Sequence, residues 1–464
     1  MRPIPIGNVL RSDNRYSVAI IGGGILGTAI AYFLSRASAP KVNSVVLIEQ
    51  EQTIAMHASS RNTGKVHAPF LYNPVEKKLF AKAAFLGFKM LKEYCSLKSL
   101  PFKQDGVLEV ATHDSGIDRL HKYIEWGYSN GLEKDELQYL EKDGVQKLEP
   151  NVRCLAGIYC SKDASINYEL VTRQILEDAR KFGCNVIVGS TVEKILVRNS
   201  NDGDTSQNVV TLHTNNGMDI KTDYVVNTAG GNAIDIAHGM KVATEYTDLH
   251  FRGEYWLAPE EYRDLTKLSV YSVPKYPQYP FLDPHWIIRV DGRREIGPNA
   301  VPVFSPYAYS LSTNIRFLIP KIFESSRTGA RRILFDKQFL QLASSELKSS
   351  ISKTAMINRA KEFLPQIRPS SFIQRGTAGI RSSLIDMRGK FVSDTKIIKN
   401  EYSVHVLNYN SPGATGALPI AAMIAQELIE QGTLYRSNHD SNYKYTDGKT
   451  PNWDTAALFE EITH

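Results

Sequence analysis

The residues Gly22-Gly23-Gly24-Ile25-Leu26-Gly27 form a G-x-G-x-x-G, and that spacing suits one kind of chemistry, the holding of a pyrophosphate. Gly22 permits a tight turn, Gly24 lets the backbone approach phosphate, and Gly27 lets a helix pack closely on a strand. The backbone N–H groups around Gly23, Ile25 and Leu26 then face the phosphates with the positive end of a helix dipole behind them. Glu49 can accept hydrogen bonds from both hydroxyls of an adenosine ribose. For this to work the flanking chain must supply the right elements in order. Tyr16–Ile21 is apolar, rich in β-branched residues and of strand length, Thr28–Ser35 has apolar residues at helical spacing, and Val45–Ile48 predicts a second strand ending on Glu49. The glycines alone are weak support, but strand, turn, helix, strand and acid together predict a dinucleotide site.

Other stretches carry residues that could complete such a site. Thr53–Phe70 is polar and full of small residues, and follows the ribose-binding strand. Ser59, Ser60, Asn62, Thr63 and Gly64 are its candidate cofactor contacts, with a plain surface loop as the alternative. A second cofactor-type region is expected from Ala156, with a helix from Asn167 to Lys181 stopped by Gly183 and strands at Cys184–Val188, Thr191–Val197 and Val209–His213, the second of these adding Val192 to the site. Asn201–Asn208 reads as a polar hairpin tip between them. Lys221–Val226 predicts a strand running into Asn227-Thr228-Ala229-Gly230-Gly231, where Ala229 and Gly230 would form another wall of the pocket. Ser411–Gly416 precedes a closing helix at Ala417–Gln431, so Gly413, Ala414, Thr415 and Gly416 sit where a negative group would be favoured. No second G-x-G-x-x-G follows a strand, which disfavours an enzyme holding two dinucleotides.

The 464 residues are long enough for one very large or two intertwined domains, and a net charge of +6 is spread without a basic block. A solvated surface explains that balance better than nucleic-acid binding. The four cysteines show no C-x-x-C and no zinc spacing, so reduced thiols, no metal and an intracellular, cytoplasmic protein are expected. Met1–Arg15 has no apolar core of a secretory signal, although Arg2, Arg11 and Arg15 leave a short organelle-targeting segment open. Leu79–Leu97 predicts an amphipathic helix. Thr244–Ser370 changes character, with strand-like Tyr- and Trp-rich segments and then helical spacing over Ser310–Phe363. The expected class is α/β (α+β overall): a Rossmann-like part made of 16–100, 155–243 and 371–432, an inserted antiparallel-sheet domain made of 101–154 and 244–370, and a polar, loosely ordered tail at 433–464.

From Tyr16 to about Gln431 this layout resembles the D-amino-acid-oxidase/glycine-oxidase superfamily of FAD-dependent oxidoreductases. The broad motifs are Ile21–Gly27 with Glu49, and Thr228-Ala229-Gly230. Narrower ones are similar to the L-2-hydroxyglutarate dehydrogenases (oxidases): Phe251–Tyr255, Tyr279–Asp283 through Gly297–Val301, Gly376–Arg381, Asn410–Thr415, and a helical insertion at Leu311–Pro365. The loop Gly64-Lys65-Val66-His67-Ala68-Pro69-Phe70 departs from that pattern at Lys65 and Pro69, and Thr377 stands where the family has an arginine. The resemblance implies FAD as cofactor, a small carboxylic acid as substrate and a Rossmann fold. The electron acceptor stays among oxygen, a quinone and a carrier protein, and peripheral membrane association stays open.

A hydride leaves a carbon bearing a hydroxyl only if that hydroxyl loses its proton, and a histidine is suited to take it. His67 is the first candidate and His285 the second, the plainer alternative being a hydrogen-bonded structural histidine. Arginine binds carboxylate through two parallel bonds. Arg252 and Arg381 are the candidate clamps, with Tyr255 and Asn410 as further substrate contacts; a surface ion pair is the plainer reading of each arginine. Three functions follow: oxidation of a 2-hydroxy acid, for which L-2-hydroxyglutarate is implied by the resemblance; oxidation of an amino acid or secondary amine; and a non-catalytic flavin-binding partner.

Overall fold

The computed structural model describes residues 15–38, 44–198, 209–275, 283–309, 330–410, 412–431 and 450–463. Its first sheet is the dinucleotide sheet. Arg15–Ile21 lies between Val45–Ile48 and Asp219–Asn227, parallel to both, and Asn185–Ile187 pairs with the outer side of Val45–Ile48. Asp219–Asn227 is shared on its far side, its first half pairing with the hairpin strand Val209–Thr214 and its second half with Ser403–Leu407. Inner parallel strands are covered on both faces and so read as continuous apolar runs, which is why Val45–Ile48 is buried at every position.

The helix Ile25–Ser38 fills one of those faces. It packs against Tyr168–Lys181 and Ala417–Glu430, and its Ala29, Ile30, Ala31, Tyr32, Phe33 and Leu34 are all buried in one core with them. A helix enclosed on all sides is apolar all round. Asn167 starts the helix Tyr168–Lys181 by accepting a hydrogen bond from Leu170 N at 3.2 Å.

The second sheet has the order Trp256–Leu257, Arg294–Gly297, His285–Ile288, Ser269–Ser272, Val107–Ala111, Ala156–Cys160, Leu137–Glu141. All neighbours are antiparallel except Ser269–Ser272 with Val107–Ala111, which are parallel. One face packs Leu108, Val110, Trp286 and Ile296 against Ile357 and Phe363, the other packs Val107, Ala111 and Ile287 against Phe70 and Leu120. Ala156–Cys160, expected to open the cofactor region, belongs here: it pairs with Val107–Ala111 and Leu137–Glu141. A three-stranded sheet of Val301–Val303, Thr247–Gly253 and Gly379–Ile385 is covered by the helix Lys337–Ile351, whose Phe339 and Leu342 pack on Leu249, Phe251 and Ile385.

The tail differs from expectation. Pro451–Thr463 returns to the body, where Trp453 packs on Tyr32, Phe33 and Tyr94 and the helix Thr455–Thr463 lies against Ala417–Glu430. One aromatic ring in a preformed apolar notch outweighs the polarity of the residues around it. Tyr279–Leu282, the Asn201–Asn208 tip, Ser411, Arg2, Arg11 and most of the first half of Leu311–Pro365 lie outside the described residues.

Candidate active site

A cavity of about 460 Å³ opens along the carboxyl ends of the first sheet. At one end it is lined by Gly22, Gly24, Ile25, Leu26, Glu49 and Val192, and at the other by His67, Tyr255, Arg381, Asn410 and Thr415. Between them lie Ser59, Asn62, Thr63, Ala229, Gly230, Gly413 and Ala414.

The glycine turn divides its work as the motif requires. Gly22 has φ +113, and a Cβ there would stand 2.5 Å from Thr228 O. A Cβ on Gly27 would come within 2.0 Å of Gly22 O, so this glycine seats the helix on the strand and does not line the cavity. A Cβ on Gly24 would meet only Ser59 Oγ, at 3.2 Å, so the backbone there borders open space. Gly23 lies behind the wall, donating its N–H to Glu49 Oε2 at 2.7 Å, while Glu51 N donates to Oε1 at 2.9 Å. Burial raises the Glu49 carboxyl above its usual range, opposed by those two amides. Each carboxylate oxygen keeps a second lone pair for a ribose hydroxyl.

The loop after Glu49 is ordered by its own side chains. Ser59 Oγ accepts from Ile25 N at 2.9 Å, and Asn62 Oδ1 accepts from Gly64 N at 2.9 Å. Ser60 and Gly64 do not line the cavity: Ser60 Oγ donates to His57 O at 3.3 Å, and Gly64 turns at φ +71 against Ile166 O. Gly416 is likewise behind the wall, at the start of Ala417–Glu430, where it and Gly87 allow that helix and Lys78–Lys98 to touch backbone to backbone.

His67 is held through its backbone, whose N–H donates to Thr415 Oγ1 at 3.1 Å, and Tyr168 Oη meets the same oxygen at 3.0 Å. Burial, then the charges of Lys65 and Arg381, pull His67 down to about 3, so the imidazole is neutral. Arg381 lines the cavity, half-buried, with no ion-pair partner among the described residues. Tyr255 is buried beside it, its phenol raised first by desolvation and lowered in part by Arg381 and Arg289. Asn410 turns its amide away, donating to Ser382 O at 2.8 Å.

Two candidates are placed elsewhere. Arg252 does not line the cavity: its guanidinium pairs with Glu254 at 3.1 Å and donates to Ala308 O at 3.1 Å. Arg252 stands opposite Ile380, which does line the cavity, so it is the pairing with Glu254 and Ala308 O that keeps its guanidinium away. His285 is outside the cavity as well, with its ring centre 4.2 Å from that of Tyr271, whose ring lies 6.1 Å from His67.

Some of the cavity's neighbours had no role assigned from the sequence. Lys65 is buried and faces Asp105 and Asp163 at 3.0 and 3.1 Å. Tyr307 and Tyr309 arch over the Glu49 end, Tyr307 Oη donating to Gln50 Oε1 at 2.8 Å and Tyr309 stacking on His57 under Arg61. An aromatic pair after Ser305-Pro306 was the one available signal.

The open backbone at Gly24, the acid at Glu49 and the loop between them fit an adenine dinucleotide. A model of the DAO family, FAD dependent oxidoreductase, matches residues 17–427. The chain belongs to this family and is an FAD-dependent oxidoreductase. It is 30% identical over 449 residues to the mitochondrial L-2-hydroxyglutarate dehydrogenase of Homo sapiens, covering 93% of each chain. It is 27% identical over 418 residues to the L-2-hydroxyglutarate dehydrogenase of Escherichia coli, covering 89% of this chain and 93% of that one. In fold it is similar to the FAD-bound L-alpha-glycerophosphate oxidase of Mycoplasma pneumoniae, with TM-score 0.69, 21% identity and 90% and 95% of the two chains covered. Among the described residues no cluster of His, Cys, Asp or Glu is placed to hold a metal, and no helix is long and apolar enough to cross a membrane.

Proposed function

We propose that the protein oxidises L-2-hydroxyglutarate to 2-oxoglutarate. The observation that carries this reading is Arg381, a guanidinium lining the cavity without a carboxylate partner among the described residues, in the same cavity as a neutral imidazole. The relatives at about 30% identity, named as L-2-hydroxyglutarate dehydrogenases, support the choice of acid. Gly22–Gly27, Glu49 and Ser59 would hold FAD, which when bound supplies the acceptor for a hydride.

Arg381 binds the substrate carboxylate through two parallel bonds, and Tyr255 adds a phenol donor beside it. This orients the hydroxyl toward His67, whose neutral ring takes the hydroxyl proton. The two events are coupled electrostatically. Arg381 is one of the charges that hold His67 down, so a carboxylate arriving on Arg381 offsets that charge and raises the proton affinity of His67 when the hydroxyl is beside it.

Anaerobic mixing of the yellow protein with L-2-hydroxyglutarate, glycine, sarcosine and proline in turn tests the proposal. The expected result is bleaching by the hydroxy acid alone. Bleaching by an amine alone would make the protein an amine oxidase, and no bleaching by any donor would make it a flavin-binding partner. Reoxidation of the bleached protein by air or by a soluble quinone separates the acceptor classes.

A further inference from the structure

We propose that Asp163 is a positioning residue that keeps the His67 proton on Nδ1, with the buried Lys65 ammonium holding Asp163 in place. This rests on His67 being the base of the proposed reaction. The antiparallel pair that brings them together sets Lys65 opposite Ser165 and Val66 opposite Ala164, so the next step places His67 opposite Asp163. Asp163 Oδ2 lies 3.8 Å from His67 Nδ1. That nitrogen is sealed from solvent and has no hydrogen-bond partner among the described residues, while the ring as a whole keeps 14% exposure and lines the cavity. The exposed part of the ring is therefore away from Nδ1.

Lys65 makes the arrangement directional. Its Nζ stands 3.1 Å from Asp163 Oδ1, 3.0 Å from Asp105 Oδ1 and 3.0 Å from Ser165 Oγ, and its side chain is fully buried. Oδ1 faces the ammonium as an ion pair, the Ala68 backbone amide also serves the carboxylate, and Oδ2 is the oxygen nearest His67. A carboxylate oxygen can only accept, so it favours the tautomer with the proton on Nδ1 and the lone pair on Nε2. A small rotation of the ring closes 3.8 Å to a hydrogen bond, a tightening that catalytic pairs commonly undergo on binding substrate. In the reaction the substrate O–H bond breaks, a proton joins Nε2, and the resulting imidazolium carries its second proton toward Asp163.

Asp163 also sets a pH dependence. Burial raises its carboxyl to about 7 against the pull of Lys65, so it becomes a charged acceptor as pH rises through neutrality. The other ionisable groups facing this pocket are Lys65 and Asp105, Arg381 across the cavity, and Tyr168, Tyr271 and His285 behind the ring.

The test is Asp163→Asn in the FAD-loaded protein with ¹⁵N-labelled histidine. Lys65 will claim the amide oxygen, leaving NH₂ to donate to Nδ1, so the His67 signals should change from the Nδ1–H pattern to the Nε2–H pattern. Flavin reduction by L-2-hydroxyglutarate should slow about a hundred- to ten-thousand-fold, the share of a general base, with the half-saturating concentration within about threefold. The rise of the rate through neutral pH should vanish, and Asp163→Glu should recover part of the rate. An unchanged His67 tautomer in Asp163→Asn overturns the proposal. If that variant does not fold, the unmutated protein decides: His67 signals in the Nε2–H pattern above neutral pH overturn the proposal. The nitrogen signals need no substrate, so they decide the role of Asp163 even if L-2-hydroxyglutarate fails to bleach the unmutated protein.

Discussion

Arg381→Lys separates substrate binding from chemistry. The side chain lines the cavity without an ion-pair partner among the described residues, close enough to lower both His67 and His285. A guanidinium offers a carboxylate two parallel charge-assisted bonds and an ammonium offers one. The lost bond is worth about 1.5–3 kcal/mol, which is about a 10- to 150-fold rise in the half-saturating concentration. Lysine keeps the positive charge, so the electrostatic setting of His67 changes little and the limiting rate should stay within about threefold. The assay is anaerobic rapid mixing, following flavin bleaching against L-2-hydroxyglutarate concentration, with FAD content measured as the control. His67→Ala should give the mirror pattern, a preserved half-saturation and a limiting rate lower by about 10²–10⁴. If Arg381→Lys saturates at the unmutated concentration with full FAD, the carboxylate is held elsewhere and the reasoning fails.

Gly24→Val should give folded protein without FAD, because the added Cβ meets only Ser59 Oγ at 3.2 Å and the rest of the side chain occupies the phosphate path; full flavin occupancy by absorbance would count against the site. Glu49→Ala should weaken FAD by about 1.5–3 kcal/mol, the worth of a hydrogen bond to a charged group, read by fluorescence titration; it also frees the amides of Gly23 and Glu51, so urea unfolding of the apo-protein should show a loss of stability. Glu109 is buried in the second sheet and raised to about 8, first by desolvation and then by Asp283. The folded state therefore keeps a proton that the unfolded chain has already lost, and this stabilisation, complete below the ordinary carboxylate range, disappears as pH rises through about 8, at no more than about 1.4 kcal/mol per pH unit. Glu109→Gln should flatten the fall in urea midpoint between mildly acidic and mildly alkaline pH, with Asp163 leaving a residual slope of the same sign; an unaltered slope would show that Glu109 titrates normally.

The dinucleotide turn was legible in the chain because its constraints are local. Gly22, Gly24, Gly27 and Glu49 belong to one strand–helix–strand unit, where Gly27 answers Gly22 O a few residues back and Glu49 takes the Gly23 amide from the adjoining strand. The parallel strands were legible for a similar reason, since burial on both faces requires unbroken Val and Ile. The tail was misread because composition reports average polarity, whereas Trp453 docks through one ring on Tyr32, Phe33 and Tyr94.

Pairing over long separations decided the rest. Arg252 and Arg381 are alike as residue types and lie on neighbouring paired strands, yet Glu254 and Ala308 O take the first while the second lines the cavity. Lys65 reads as a departure in a loop until the Lys65–Val66 strand meets Ala164–Ile166 and sets Asp163 behind His67. Residue type supplied candidates for a base, a clamp and a phosphate turn; which candidate base has a carboxylate near it, and which arginine has no ion-pair partner among the described residues, follows from contacts that only the assembled sheets impose.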